Sequence, residues 1–174
     1  ALIAAEQPGL VIELRLEEGD PVAVGQVLAR LDDTLSRLAV AREEANILTR
    51  RAVVSEREAQ RERAARDKAR VDELSARASA SANEADDART NVNLAEARLA
   101  QARAELGAAE SELALVRERL EQMTVKAPFA GRVVRKVAEI GQWLQAGAPG
   151  VEIVALDQVP KQYGLKLFLV GLNL

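Results

Sequence analysis

The chain contains no cysteine and no histidine, and among its 174 residues there is one methionine, one tryptophan, one tyrosine and two phenylalanines. Without thiols or imidazoles there can be no disulfide, no Cys or His metal ligand, no cysteine nucleophile and no Ser/His/Asp triad. With 2% aromatic and 29% charged residues, the composition argues against a large globular core and for long helices. No run reaches the roughly 18 to 20 apolar residues that a membrane span needs. No signal peptide is visible at Ala1, which leaves the compartment open, and a cysteine-free chain is compatible with an oxidising periplasm. The net charge is −3 and the pI about 5.3. Arginine is plentiful but interleaved with glutamate and aspartate, the pattern of a solvated, ion-paired helix surface rather than a nucleic-acid patch.

What is present is an internal repeat. Residues 9–33 read GLVIELRLEEGDPVAVGQVLARLDD and residues 131–157 read GRVVRKVAEIGQWLQAGAPGVEIVALD. An offset of 122 places Gly9 on Gly131, Val11 on Val133, Glu17 on Glu139, Gly19 on Gly141 and Gly25 on Gly147, and keeps apolar character at Ile12/Val134, Val22/Leu144 and Leu31/Ile153. Each copy reads as short β-branched strands punctuated by turn glycines. Neither copy, at roughly 25 residues, can offset its own ordering entropy, so the two are expected to pack face to face as a β-sandwich. The large residue expected opposite Leu28 is missing at Gly150.

Between the copies lies a helical insert. Ala85, Ala88, Val92, Ala95, Leu99, Ala102, Leu106, Ala109, Leu113, Val116, Leu120 and Met123 alternate in steps of three and four, a coiled-coil seam over more than five heptads. The first arm is less regular: Leu35, Leu38, Ala41, Ala45, Leu48 and Ala52 fit a seam, followed by the mostly charged SEREAQRERAARDKAR. Asp32 and Asp33 are N-cap candidates, and Pro128 is expected to end the return helix. Arms of about 40 residues make a hairpin of roughly 60 Å projecting from the sandwich. Gly107 reads as a tolerated surface glycine and Trp143 as a partly buried residue. The turn is expected near ELSARASASANEADD, where Ser81 and Glu84 form a capping box that starts the second arm.

Two features carry a resemblance. The half-motif G-D-x-V-x-x-G-x-x-L resembles one half of a biotinyl/lipoyl carrier domain. VKAPFAGRVV followed by EIGQWLQAGAPGVEIVAL resembles the second half as it occurs in periplasmic adaptor subunits, the membrane fusion proteins of bacterial export pumps. A carrier domain needs a modifiable lysine at the turn between its halves; no lysine occurs between Leu28 and Ser55, so no cofactor is expected. The spacing R-x3-L-x6-S of Arg70, Leu74 and Ser81 is similar to the hairpin-tip signature by which such adaptors recognise a TolC-type outer-membrane channel. Arg70 and Leu74, four apart, share a helical face.

The fold this implies is α+β: a lipoyl-like β-sandwich split by a long antiparallel coiled-coil hairpin, with partial β-barrel strands at the chain ends. The expected boundaries are a barrel connector over 1–8, half-motifs over 9–33 and 124–157, the hairpin over 34–123 with its tip at 75–82, and a barrel strand over 158–174. The resemblance implies a non-enzymatic adaptor without metal or cofactor. It would join a TolC-type channel to an inner-membrane transporter, with the resistance-nodulation-division (RND) class favoured by arm length and the ATP-driven (ABC) and major-facilitator (MFS) classes open. It implies a homo-oligomer, commonly a hexamer, with no nucleic-acid partner. It also implies a periplasmic location, associated with the inner membrane through a segment outside these residues. The other readings are a biotinyl/lipoyl carrier and a purely structural coiled coil; the second leaves the repeated Gly-spaced motif unexplained.

Overall fold

The computed structural model describes residues 1–77 and 80–155. The chain divides into two compact units, residues 1–35 with 119 onward, and residues 36–118. Eight strands and two helices follow in chain order: β1 Leu2–Ala4, β2 Gly9–Leu14, β3 Pro21–Val22, β4 Val27–Leu31, α1 Thr34–Ala76, α2 Ala82–Glu121, β5 Thr124–Lys126, β6 Gly131–Lys136, β7 Trp143–Leu144 and β8 Pro149–Ala155.

The strands form two four-stranded sheets, β1-β8-β6-β3 and β5-β4-β2-β7. The offset of 122 carries β1, β2, β3 and β4 onto β5, β6, β7 and β8 and converts one sheet order into the other, so the sandwich has an approximate twofold repeat. Each sheet takes two strands from each copy. Neither copy can therefore complete a sheet alone, which is the structural form of the entropy argument from length. The core repeats as well: Ala5 and Ala127, Val11 and Val133, Val22 and Leu144, and Leu31 and Ile153 are all buried. Fully burying residues of the size of Leu28, Leu31, Val133 and Ile153 contributes about 1.5–3 kcal/mol each.

The glycine spacing has two distinct causes. Gly19 and Gly141 (φ 95° and 85°) and Gly25 and Gly147 (φ 77° and 82°) occupy left-handed turn conformations. Gly131 is needed for space, because a Cβ there would lie 2.4 Å from the Val154 carbonyl oxygen. Gly150 replaces an apolar side chain but is buried, and its carbonyl accepts hydrogen bonds from the Val137 and Ala138 N–H groups at 3.0 and 2.9 Å.

Several expectations change. Residues 2–4, expected in a barrel connector, form an edge strand of the sandwich paired with β8. The return helix ends at Glu121, well before Pro128, because the chain must become extended at Thr124 to pair β5 with β4. Trp143 is 59% exposed rather than partly buried, since it points outward from β7 while Leu144 points into the core. The strand expected over Val159–Leu174 and its barrel lie outside the described residues.

In the second unit, the α2 seam stands as expected: Leu99, Ala102, Ala109, Leu113 and Val116 are buried. The α1 seam does not. Leu35, Leu38 and Leu48 are 81%, 63% and 68% exposed, and Ala41, Ala45 and Ala52 are exposed too. The residues of α1 that turn inward are Val40, Glu43, Ile47, Arg50, Val54 and Arg57, a heptad register two positions away, and Val40 and Ile47 pack with Leu106, Ala109, Leu113 and Val116. The buried Glu43 accepts from Arg42 Nε and Nη2 at 3.0 and 2.8 Å and from Asn46 Nδ2 at 3.2 Å. These hydrogen bonds, Arg42 first, hold its carboxyl below the usual range against the opposing effect of burial.

Ion pairs cross between the arms at Arg50–Glu105 (2.6 Å), Glu58–Arg103 (2.8 Å), Glu44–Arg117 (2.7 Å) and, more loosely, Arg61–Glu96 (3.4 Å). Each is exposed and weak on its own. As a set, they run antiparallel and mark the register, with the basic partner on α1 in two pairs, Arg50 and Arg61, and on α2 in the other two, Arg103 and Arg117.

Candidate interaction site at the hairpin turn

The first arm ends at Ala76, where the Arg77 N–H turns back to the Leu74 carbonyl at 3.1 Å. The second arm starts from a reciprocal cap. The Ser81 N–H and Oγ donate to Glu84 Oε2 at 2.7 and 2.9 Å, and the Glu84 N–H donates to Ser81 Oγ at 3.2 Å. The Ser81 carbonyl takes the first helical bond, from the Ala85 N–H at 3.2 Å. Ser81 is therefore the N-cap and Glu84 the third residue of the helix, the expected capping box. The backbone N–H and then the hydroxyl of Ser81 hold the Glu84 carboxyl below its usual range.

On one face of the turn a groove of about 520 Å³ lies between the arms, lined among others by Asp67, Arg70, Val71, Leu74, Glu84 and Ala88. It brings together two of the three singled-out residues directly. Arg70, with 71% of its side chain exposed, donates from Nη2 to Asp67 Oδ1 at 3.0 Å, one turn back. Leu74 is 41% exposed. Ser81 does not line the groove; it fixes Glu84, which does. The groove thus offers an apolar floor of Val71, Leu74 and Ala88 beside a cation and carboxylates, a surface suited to a helix end or a backbone with free carbonyls.

Sequence reading passed over three of these participants. Asp67 stands three residues before Arg70, a spacing that signals an ion pair on one helical face. Val71 belongs to the true inward register of α1, hidden because charged residues such as Glu43, Arg50 and Arg57 interrupt that register. Glu84 was visible as a cap but not as a wall of the groove. Among the described residues, no group of three or more acidic side chains is placed to hold a metal ion, and no helix is long and apolar enough to cross a membrane.

Comparison with known proteins agrees with this architecture. Multidrug resistance protein MdtA of Erwinia amylovora is 31% identical over 148 residues, which span 84% of this chain and 33% of that relative. Among solved structures, MacA from Actinobacillus actinomycetemcomitans superposes with a TM-score of 0.82 at 21% identity, covering 88% of this chain and 48% of that one. A putative efflux transporter from Bacteroides eggerthii superposes at 0.52 with 22% identity, covering 90% and 39%. The chain therefore spans between a third and a half of the relatives it matches, and the two solved structures speak to fold. The family model for the CzcB-like barrel-sandwich hybrid domain matches residues 1–154. The chain belongs to the CzcB-like barrel-sandwich hybrid family of periplasmic adaptors, the membrane fusion proteins.

Proposed function

We propose that this chain is the channel-facing part of a periplasmic efflux adaptor, docking through the hairpin turn onto a TolC-type outer-membrane channel. Its inner-membrane partner would be a transporter, with the RND class favoured by arms of 43 and 40 residues and the ABC and MFS classes as the other candidates. The adaptor would act without catalysis, as a homo-oligomer, six copies in an assembled pump, anchored at the inner membrane by a segment outside these residues. Arg70 would supply forked hydrogen bonds to carboxylates or carbonyls of the channel, and Leu74 would fill an apolar groove between its helices. Ser81 would hold the turn and bond exposed backbone.

The observation that carries this reading is the convergence of Arg70 and Leu74 in one groove at the turn, with Ser81 fixing its Glu84 wall. Support also comes from the similarity to MdtA, a multidrug resistance protein. The carrier reading lacks its site, since the lysine-bearing turn is replaced by α1 and α2 between β4 and β5. The test is binding to purified TolC-type channels by the chain and by Arg70→Asp and Leu74→Ser. A loss of at least about tenfold in affinity with unchanged helicity is expected. Equal binding by the variants would overturn the assignment of the turn.

A further inference from the structure

Arg70 stands between two carboxylates. Asp67, one turn back on α1, accepts from Arg70 Nη2 through Oδ1 at 3.0 Å. Asp87 lines the opposite wall of the same groove, on α2. Stepping from the cross-arm pair Arg61–Glu96 toward the turn by equal numbers of residues on the two arms brings Arg70 level with Asp87. Glu84, the other acid of that wall, is already engaged by Ser81, whereas the Asp87 carboxylate has no ion-pair partner among the described residues. Asp67 has a cation on its far side as well, since its Oδ2 lies 4.0 Å from Arg63 Nε. Arg63, Asp67 and Arg70 therefore form a charged row along the α1 wall, with a free carboxylate facing it across the apolar floor.

We propose that Asp67 is the positioning residue for Arg70: it holds the guanidinium on the α1 wall and off Asp87, which keeps the groove open for its partner. The proposal rests on docking at the turn as read above. A guanidinium carries five N–H donors in a rigid fork, so a bond through Nη2 fixes its plane and leaves further donors for an acceptor on the partner. An Arg70–Asp87 pair would instead bridge the two arms over Val71, Leu74 and Ala88 and direct the fork at the chain's own carboxylate. Both pairs are exposed and individually weak, so geometry decides between them. Asp67, three residues away on the same helix, is a natural neighbour, and Arg63 at its second oxygen draws its carboxylate along α1. Only the chains with Arg70 off Asp87 are competent to dock, and the apparent affinity scales with that fraction.

The test measures affinity of the full chain for a purified TolC-type channel, together with nuclear Overhauser contacts of Arg70 in the chain alone. Asp67→Ala is expected to weaken channel binding about three- to tenfold with unchanged helicity, and Asp67→Glu, which still reaches Arg70, to restore it. Two backgrounds separate positioning from a merely structural role. With Arg70→Ala present, Asp67→Ala should cost nothing further; with Asp87→Asn present, Asp67→Ala should change affinity by less than about twofold. A loss at Asp67→Ala that persists in either background would overturn the proposal, as would binding by Asp67→Ala equal to wild type. In the chain alone, Asp67→Ala should bring the Arg70 Hε into contact with the Asp87 Hβ protons, and the absence of that contact would also overturn it. Binding by Arg70→Asp equal to wild type would remove the docking reading instead, while the contacts in the chain alone still decide whether Asp67 holds Arg70 away from Asp87.

Discussion

Gly19 and Gly141 make the same hydrogen bond into each other's half of the sandwich: Gly19 N–H donates to the Val133 carbonyl and Gly141 N–H to the Val11 carbonyl, each at 2.8 Å. The bonds that follow repeat too, with Val133 N–H returning to the Asp20 carbonyl and Val11 N–H to the Gln142 carbonyl, both at 2.9 Å. Both glycines have positive φ. Gly19→Ala and Gly141→Ala should therefore each cost about 1–2 kcal/mol, and by similar amounts because the sites are equivalent. Urea unfolding followed at a sandwich-specific probe measures this; a markedly unequal pair of losses would contradict the equivalence.

Two other glycines should respond with opposite signs. Gly107 sits within α2 with nothing near the position of a Cβ, so Gly107→Ala should stabilise the hairpin by about 1 kcal/mol. Gly131→Ala must push β6 away from β8 and should destabilise by about 1–3 kcal/mol. Thermal melts of the two variants give the signs.

Neighbouring residues on α1 separate the true seam from the outer stripe. Ile47 is 6% exposed and Leu48 is 68% exposed. Ile47→Ala should cost about 2–5 kcal/mol at this packed position, whereas Leu48→Ala should stay within about 0.5 kcal/mol for a dilute, unassembled chain. Helix unfolding at low protein concentration distinguishes them, and a large loss at Leu48 would reverse the assigned register.

The cap at the turn is acid-sensitive in a definite direction. Because the Glu84 carboxyl is held below its usual range by Ser81, its stabilisation is present above about pH 4.3 and is lost as pH falls through the lowered value. Glu43, held by Arg42 and Asn46, and Asp32, held by the Thr34 hydroxyl and then its N–H, shift the same way. Glu84→Gln should flatten the acid limb of the stability profile while leaving the neutral plateau slightly lower. An unchanged acid limb would refute the contribution.

Trp143 is the only tryptophan, so intrinsic fluorescence reports a single site. Exposed on β7, it should emit as a hydrated indole and be quenched freely by iodide in the dilute chain. A blue-shifted, shielded emission under those conditions would contradict its outward placement.

The legibility of the fold varied with the kind of signal. The sandwich repeat was readable because its glycines answer local demands, a positive φ at Gly19 and Gly141 and a close approach at Gly131, and these demands recur at one offset. The α2 seam was readable because its inward positions are almost all apolar. The α1 seam was not, because Glu43, Arg50 and Arg57 occupy inward positions and reach or bend toward charged neighbours, while the better apolar pattern lies on the outer edge. Period alone tells which residues share a face, not which way the face points. At the turn, Arg70, Leu74 and Ser81 could be named from spacing, but the groove formed with Glu84 required the return of the second arm.

By itself the sequence determined a duplicated β-motif, an interrupted helical insert between its copies, the capped start of the second arm, and the exclusion of Cys and His chemistry. These follow from backbone conformation and local periodicity, which act over a few residues. Only the tertiary structure decided that strands from the two copies interleave within each sheet, that Trp143 faces outward, and that the leucines of α1 lie on the edge of the hairpin rather than in its seam. Those outcomes depend on which surfaces meet, and that choice is made by burial summed over partners far apart in the chain.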